Sequence, residues 1–563
     1  MWSIFRLFFT TLLIMRKRNE RQKLSVQAIA GTHVVLLGIN LPEDKCPGLL
    51  GFAIRRYDLT EGEIYWLRGY KTFESVEPNP AEGVQYASRF HPIQGFTWSD
   101  FSAKPGYRYK YEVVAMRGTP LDPKEAERVS VTIKTESASV AKSKHSIFFN
   151  RGVAASQEYT RRFGDKSPKE VGSTAYDWLS RGAAEAITAF MLRAIGTGWG
   201  LRVCAYECRE AHVLKALFEA KLRGVDVQIL YHARNDSTKT NNEKAIQQYQ
   251  LTDIAHARNA VGLSLSHNKT MVLTKQGKAQ AVLTGSTNFS EGGIYGHSNV
   301  VHICDDKSVA TKYLWLWDEL KKNSPVQALA PLISSATPLP QVPGTTPVFS
   351  PRTDLSALEW YAEQAKKTSG GLFMTFAFGM HPAFQDAYLD GMATLRYALM
   401  EKMSGPTSTP AQRVANENAI LQLRKLEANK FAVGSQVEEG DFGQWLSESL
   451  SGLNGNVKYL HTKYMLVDPL GPNPLVVTGS ANFSEASTVK NDENMLVIQG
   501  DPRVADIYLG EFMRLYRHFA FRDWLASKPV GIAKVAHLDE QDTWWKRYFG
   551  DSFESRQRAY FAG

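Results

Sequence analysis

Cysteine is scarce: Cys46, Cys204, Cys208 and Cys304 are the four in a chain of 563 residues. So few thiols exclude a disulfide scaffold at this size and fit a reducing compartment, which points to the cytoplasm. No CxxC pair and no HExxH helix occurs, so the sequence offers no support for a zinc site and requires no cofactor. Long apolar runs are also missing. The stretch MWSIFRLFFTTLLIM is interrupted by Arg6 and runs into RKRNER. It is short for a membrane span, and its positive charge follows the apolar part, unlike a secretory signal. Residues 1–22 are therefore expected to be a disordered apolar and basic segment. Neither sign of charge dominates: 66 Lys and Arg against 57 Asp and Glu give +9. That mildly basic balance suits a polyanion such as nucleic acid, or an acidic membrane face.

What is present divides into zones. Between 23 and 138, short alternating runs such as HVVLLGINL, GFAIRRY, YRYKYEVVAM and VSVTIKT are separated by turn-rich PEDKCPG, NPAEG and RGTPLDP. This pattern predicts a β-sandwich. The segment KPGYRYKYEVVAMRG resembles the late strands of fibronectin type III domains. A linker follows at 137–146.

From 147 to 333, helical stretches alternate with the apolar strands LRVCAYEC, VDVQILYHA, NKTMVL, QAVLTG and SNVVHIC. Such alternation predicts α/β architecture with mixed, largely parallel sheets. After the Pro-rich SSATPLPQVPGTTPVFSPR, the same order of elements recurs from 352 to 525, with a helical insertion expected near 396–430. The reading is a tandem pair of α/β/α domains with pseudo-two-fold symmetry. Residues 526–563 read as a helical tail packed on the domain they follow, with Trp544 and Trp545 as packing residues.

The duplication is sharpest in two stretches. SHNKTMVLTKQGKAQAVLTGSTNFSE at 266–291 overlays LHTKYMLVDPLGPNPLVVTGSANFSE at 460–485 without a gap, at an offset of 194. Polar positions match while apolar ones drift: Val272 faces Leu466, and Leu283 faces Val477. Packing alone would keep the apolar set, so the retained His, Lys, Ser and Asn point to chemistry.

On an extended strand, residues two apart share a face. His267 and Lys269 therefore project together, as do His461 and Lys463. A returning strand can bring Ser286 and Asn288, or Ser480 and Asn482, beside them. Two such sets around one cleft suit a phosphodiester. Lysines and asparagines hold the non-bridging oxygens, one imidazole attacks phosphorus, and the other protonates the leaving oxygen. Lysines supply the positive charge that a metal would otherwise bring.

These residues carry a family resemblance. HTKYMLVD at 461–468 is similar to the HxKxxxxD motif of the phospholipase D superfamily, and GSANFS to its companion GSxN element. The resemblance extends over about 380 residues, from 147 to 525. It implies one active site between the halves, a covalent histidine intermediate and metal-independent cleavage of a phosphodiester. The first copy departs from the motif, with Thr274 where the second has Asp468. Setting NDEN (491–494) against GHSN (296–299) gives Glu493, the family's imidazole-holding carboxylate, to the second copy and Ser298 to the first. His461 is then expected to pair with Glu493, and His267 to lack a carboxylate unless Glu207 or another reaches in. Such asymmetry resembles the tyrosyl-DNA phosphodiesterase branch, which implies His267 as nucleophile and His461 as general acid and base.

Asp468 is expected to be a structural ion-pair partner, Ser286 and Ser480 network residues, and Asn299 and Asn494 braces of the site loop. His232 and His297 read as rim or core histidines. The expected function is a nuclease acting on DNA or RNA, and the resemblance implies a bacterial origin. The alternatives are a phospholipid hydrolase and a catalytically degenerate nucleic-acid-binding or scaffold protein. Both halves of the site lie in one chain, so the sequence leaves the oligomeric state open.

Overall fold

The computed structural model describes residues 15–81, 84–137, 143–152, 156–164, 166–404, 409–434, 460–526 and 537–563. The first zone is a sandwich of two four-stranded antiparallel sheets. One runs Arg16–Arg21, Leu24–Ala30, Val35–Asn40, Thr97–Asp100 and the other Asp122–Lys134, Arg108–Thr119, Gly51–Asp58, Ile64–Trp66, in spatial order. Alternation drives it: on Arg108–Thr119, Tyr109, Tyr111, Val113 and Ala115 point inward and are fully buried. Arg16–Arg21, expected within a disordered segment, instead pairs as an edge strand with Leu24–Ala30 through a turn at Gln22 and Lys23. Its charged, exposed side chains suit an edge. Residues 1–14 of the apolar start lie outside the described residues.

The two halves repeat one topology. The first sheet runs, in spatial order, His145–Phe149, Val300–Cys304, Lys278–Gly285, Lys269–Lys275, Trp199–Ala205, Asp226–His232, Ala255–Arg258. The second runs Gly344–Ser350, Glu493–Gln499, Leu475–Gly479, Tyr464–Val467, Gly371–Phe376, Leu395–Met400, Asn429–Val433. Both are mixed, but less parallel than expected. In the first, only Trp199–Ala205 with Asp226–His232, and Asp226–His232 with Ala255–Arg258, are parallel ladders. The remaining ladders are antiparallel; the motif strand Lys269–Lys275 connects to Lys278–Gly285 by a hairpin rather than by a helix.

The region 396–430, expected as an insertion, is not one. Its strand Leu395–Met400, helix Pro410–Arg424 and strand Asn429–Val433 correspond to Asp226–His232, Ser237–Gln248 and Ala255–Arg258 of the first half. The tail packs on the second half as expected, with the Phe553 and Tyr397 rings 5.5 Å apart, and it also reaches the sandwich, far away in sequence: Trp544, Trp545 and Tyr548 complete the sandwich core, and helix Phe553–Ala562 crosses Val35–Asn40. Gly38 permits that crossing: a Cβ there would lie 2.0 Å from the Phe561 carbonyl oxygen.

Helix Pro502–Ala526 joins all three units. Its Asp506 receives Arg16 of the sandwich at 2.7 Å, its Tyr508 hydroxyl meets His302 Nδ1 at 2.9 Å, and its Glu511 pairs with Arg181 of the first half. The halves are further locked by Arg258 and Asp492, a bidentate pair at 2.9 and 3.0 Å with both side chains fully buried. Replacing Arg258 by alanine strands a buried carboxylate. Urea unfolding of Arg258→Ala is expected to show a loss of about 3–5 kcal/mol; a loss below about 1 kcal/mol would mean the carboxylate is solvated or neutral.

Candidate functional site

The motif strands end at the seam between the halves. Backbone bonds cross it in matched fashion: the His267 amide donates to the Asp492 carbonyl at 3.0 Å, and the His461 amide to the Ser298 carbonyl at 3.2 Å. Gly285 and Gly479 allow the companion strands to close in. A Cβ at either would lie 2.2 or 2.1 Å from the carbonyl oxygen of Val300 or Asn494. His267, Lys269, Asn288, Ser286, Lys463 and Ser480 are all buried there, while the phenol ring of Tyr206 lies 4.9 Å from the His267 ring.

The orienting partners are exchanged between halves. Both Glu493 carboxylate oxygens lie 2.9 Å from His267 Nδ1, so the second half's carboxylate holds the first half's imidazole. His461 Nδ1 instead meets Asn299 Oδ1 at 2.8 Å. The expected pairing of His461 with Glu493 is therefore incorrect, as is the match of Ser298 to Glu493. The offset of 194 continues through the companion strands: the Val300 amide donates to Ser286 Oγ and the Asn494 amide to Ser480 Oγ, each at 3.1 Å. Asn299 thus occupies Glu493's place, and Asn494 corresponds to Val300.

These partners fix which ring nitrogens face the pocket. A carboxylate only accepts, so His267 carries its proton on Nδ1. Asn299 donates from Nδ2 to the Gly293 carbonyl at 2.7 Å, which turns its Oδ1 toward His461, and Ser286 Oγ donates to the same oxygen at 2.8 Å. His461 Nδ1 is therefore protonated too, and both Nε2 atoms are free of these contacts. Asn491 Nδ2 donates to Glu493 Oε1 at 3.1 Å. The serines act on the orienting groups. Asn494 braces the seam, donating to Asn268 and accepting from Thr284 and Tyr313.

The other expected positions have mixed outcomes. Asp468 makes no ion pair among the described residues; its Oδ1 caps the Gly370 and Gly371 amides at 2.7 and 2.8 Å. It sits five residues beyond Lys463, about 16 Å along the strand, so Thr274 in its place leaves the first half's pocket untouched. Thr274 packs against Gly200 instead. Glu207 accepts from Ser290 at 2.5 Å rather than from an imidazole. His232 is buried, accepting from the Ser266 amide and paired with Asp236. His297 stands with its ring 5.4 Å from that of His461, a neighbour that spacing alone did not reveal.

Buried cations dominate the electrostatics. Burial pushes the Lys269 ammonium down to about 7, with Glu493 and Glu207 opposing the shift, and Lys463 well below its ordinary value. Burial likewise takes His267 down to about 4, against the pull of Glu493, and lowers His461, where Lys463 and His297 add to the effect. Burial works against the Glu493 anion, yet His267 and Lys269 outweigh it and hold the carboxyl below its usual range. The pocket is thus short of one or more negative charges, and an anion between the lysines would restore their protons.

A stability effect follows. Lys269 titrates near 7 folded and near 10.5 unfolded. Between those values the unfolded chain binds more protons, so stability rises with pH and is reduced below about 7. Lys269→Met is expected to raise Tm at pH 7, with the advantage shrinking toward pH 10, and to abolish turnover. Lys463→Ala should likewise fold and lose turnover; its unfolding would mark a structural lysine.

Residues 199–319 and 420–516 match the family described as cardiolipin synthase, PLD-like domain. A phospholipase D of Rickettsia felis is 29% identical over 124 residues, 21% of this chain and 56% of that protein. The chain therefore spans about half the length of the curated relatives it matches. Among solved structures, phosphatidylserine synthase of Haemophilus influenzae aligns over 60% of this chain and 84% of its own at 13% identity, with a TM-score of 0.41. Nuc of Salmonella typhimurium, described as a phospholipase D family member, aligns over 24% and 86% at 26% identity and a TM-score of 0.20. Two His-x-Lys segments with their Gly-Ser-x-Asn companions meet across one seam, and the matched residues 199–319 and 420–516 place these two halves in the phospholipase D superfamily.

Proposed function

We propose that the protein is a metal-independent phosphodiesterase that works through a phosphohistidine, and that its substrate is DNA or RNA in the cytoplasm. The observation that carries the chemistry is the exchange of partners, which makes the two imidazoles unequal. Glu493 stabilises the positive charge that His267 acquires once its Nε2 is bonded to phosphorus. Asn299 fixes the His461 tautomer but adds no charge, so a proton on His461 stays easy to give away.

In the first step, His267 Nε2 attacks phosphorus, the bond to the leaving oxygen breaks, and that oxygen takes the proton from His461 Nε2. In the second, His461 takes a proton from water, the resulting hydroxide attacks phosphorus, and the bond to His267 breaks. Lys269, Lys463, Asn288 and Asn482 are assigned to the non-bridging oxygens. Ser286, Ser480, Asn299 and Asn494 support this set.

Net positive charge favours a polyanionic substrate. The relatives named phospholipase D favour a second reading, a phospholipid hydrolase. The purified chain is to be incubated in EDTA with labelled DNA, RNA and phosphatidylcholine vesicles. Cleavage of nucleic acid alone is expected; head-group release alone would assign the lipid, and silence on all would leave a degenerate binding protein. His461→Ala should accumulate a labelled phosphoenzyme that His267→Ala cannot form, and the reverse result would exchange the two roles. Asn299→Asp sets a carboxylate beside His461 and should move the limb of kcat/KM that requires its proton up by about one pH unit or more.

A further inference from the structure

Where the sandwich meets the two halves, buried positive charge exceeds its carboxylate balance. Arg151 and Arg181 come from the first half, Arg514 from helix Pro502–Ala526, and His33 from the turn before strand Val35–Asn40. Among the described residues one carboxylate serves them: Glu511, 2.8 Å from Arg181 Nη1 and 2.7 Å from Arg514 Nε. Arg514 also donates to the carbonyls of Asn150 and Arg151 at 3.1 and 3.2 Å.

Arg151 donates from Nε to the Trp178 carbonyl at 2.8 Å and lies over that indole at 4.5 Å, but among the described residues no carboxylate pairs with it. Arg162 acts on Arg151 from outside and is paired with Glu158. Three guanidiniums against one carboxylate leave a surplus of two charges. The crowding is evident in each group. Burial takes Arg151 down to about 9 and Arg181 to about 10, with Arg514 lowering both further, and His33 is held well below its ordinary value by burial and all three arginines.

Three buried polar atoms here lack a hydrogen-bond partner among the described residues. They are Arg181 Nε, on a side chain only 2% exposed, the hydroxyl of Tyr464, which feels both Glu511 and Arg514, and Glu511 Oε1, which meets Arg181 only as an ion pair. His33 and Arg151 are only partly buried and leave the cluster open to solvent. Unbalanced buried charge is strongly unfavourable unless an opposite charge joins it, and guanidinium forks match phosphate oxygens in pairs.

We propose that this three-way junction binds a phosphoryl oxyanion, either free phosphate or diphosphate or the phosphate of a lipid headgroup, through arginines distinct from the seam lysines, at a site that adjoins the seam through Asn150, whose Oδ1 accepts from the Asn299 amide at 2.9 Å. The site stands whether or not the phosphodiesterase reading holds. The test uses the full chain carrying Lys463→Ala, which weakens anion binding in the seam. Diphosphate titrated by calorimetry is expected to bind and to raise Tm. Adding Arg151→Gln should weaken that binding at least tenfold, and Arg151→Lys, which keeps the charge but not the fork, should weaken it less. Should Arg151→Gln fail to fold, the lysine variant carries the comparison. Binding to phosphatidylglycerol vesicles but not to free anions, lost with the same substitution, would identify the source as a headgroup and support the site. Absence of binding to either probe, or affinity unchanged by both Arg151 variants, would overturn it.

Discussion

The structure depends on charges that are buried only because the opposite half answers them. Arg258 reaches from the first half to Asp492 in the second, both fully excluded from water, and the next residue, Glu493, reaches back to His267. Neither carboxylate could remain ionised in that interior without its partner. The contacts that hold the halves together and those that orient the imidazoles are thus neighbours on one strand. Movement at the seam would disturb both.

The pocket itself works against folding. Two lysines and two imidazoles are held where burial disfavours their protonated forms, with one carboxylate to balance them. Such a site is preorganised for an anion, because solvent has already been removed from the groups that would receive it. The surrounding cores, made of strands buried on both faces, supply the stability that this arrangement consumes.

Much of this was legible in the chain. The gapless offset of 194 and the survival of polar rather than apolar residues identified both motif strands, although His267, His461 and Lys463 lie just before the strands that begin at Lys269 and Tyr464. The exchanged partners were not legible by comparing NDEN with GHSN, since matching the two terminal asparagines slipped the register by one residue. Carrying the offset of 194 forward sets Asn299 against Glu493, and the crossing would still have required the seam. The parallel content was overestimated because hairpins and crossovers look alike when strands are short. Arg16–Arg21 lacks the apolar alternation that signals a strand, because it forms an edge with its side chains in water. The tail's docking on the sandwich depends on contacts across some 500 positions, which local pattern does not encode.

The pairing of Glu493 with one imidazole and Asn299 with the other has a consequence for ancestry. An assembly of two identical chains must place the same residue at both orienting positions, so its two histidines are chemically equivalent and either can be the nucleophile. Joining the copies in one polypeptide lifts that restriction. Each position can then mutate alone, and a substitution that would disable both sides of a symmetric dimer here alters only one. Covalent duplication is thus what permits a division of labour between otherwise identical imidazoles.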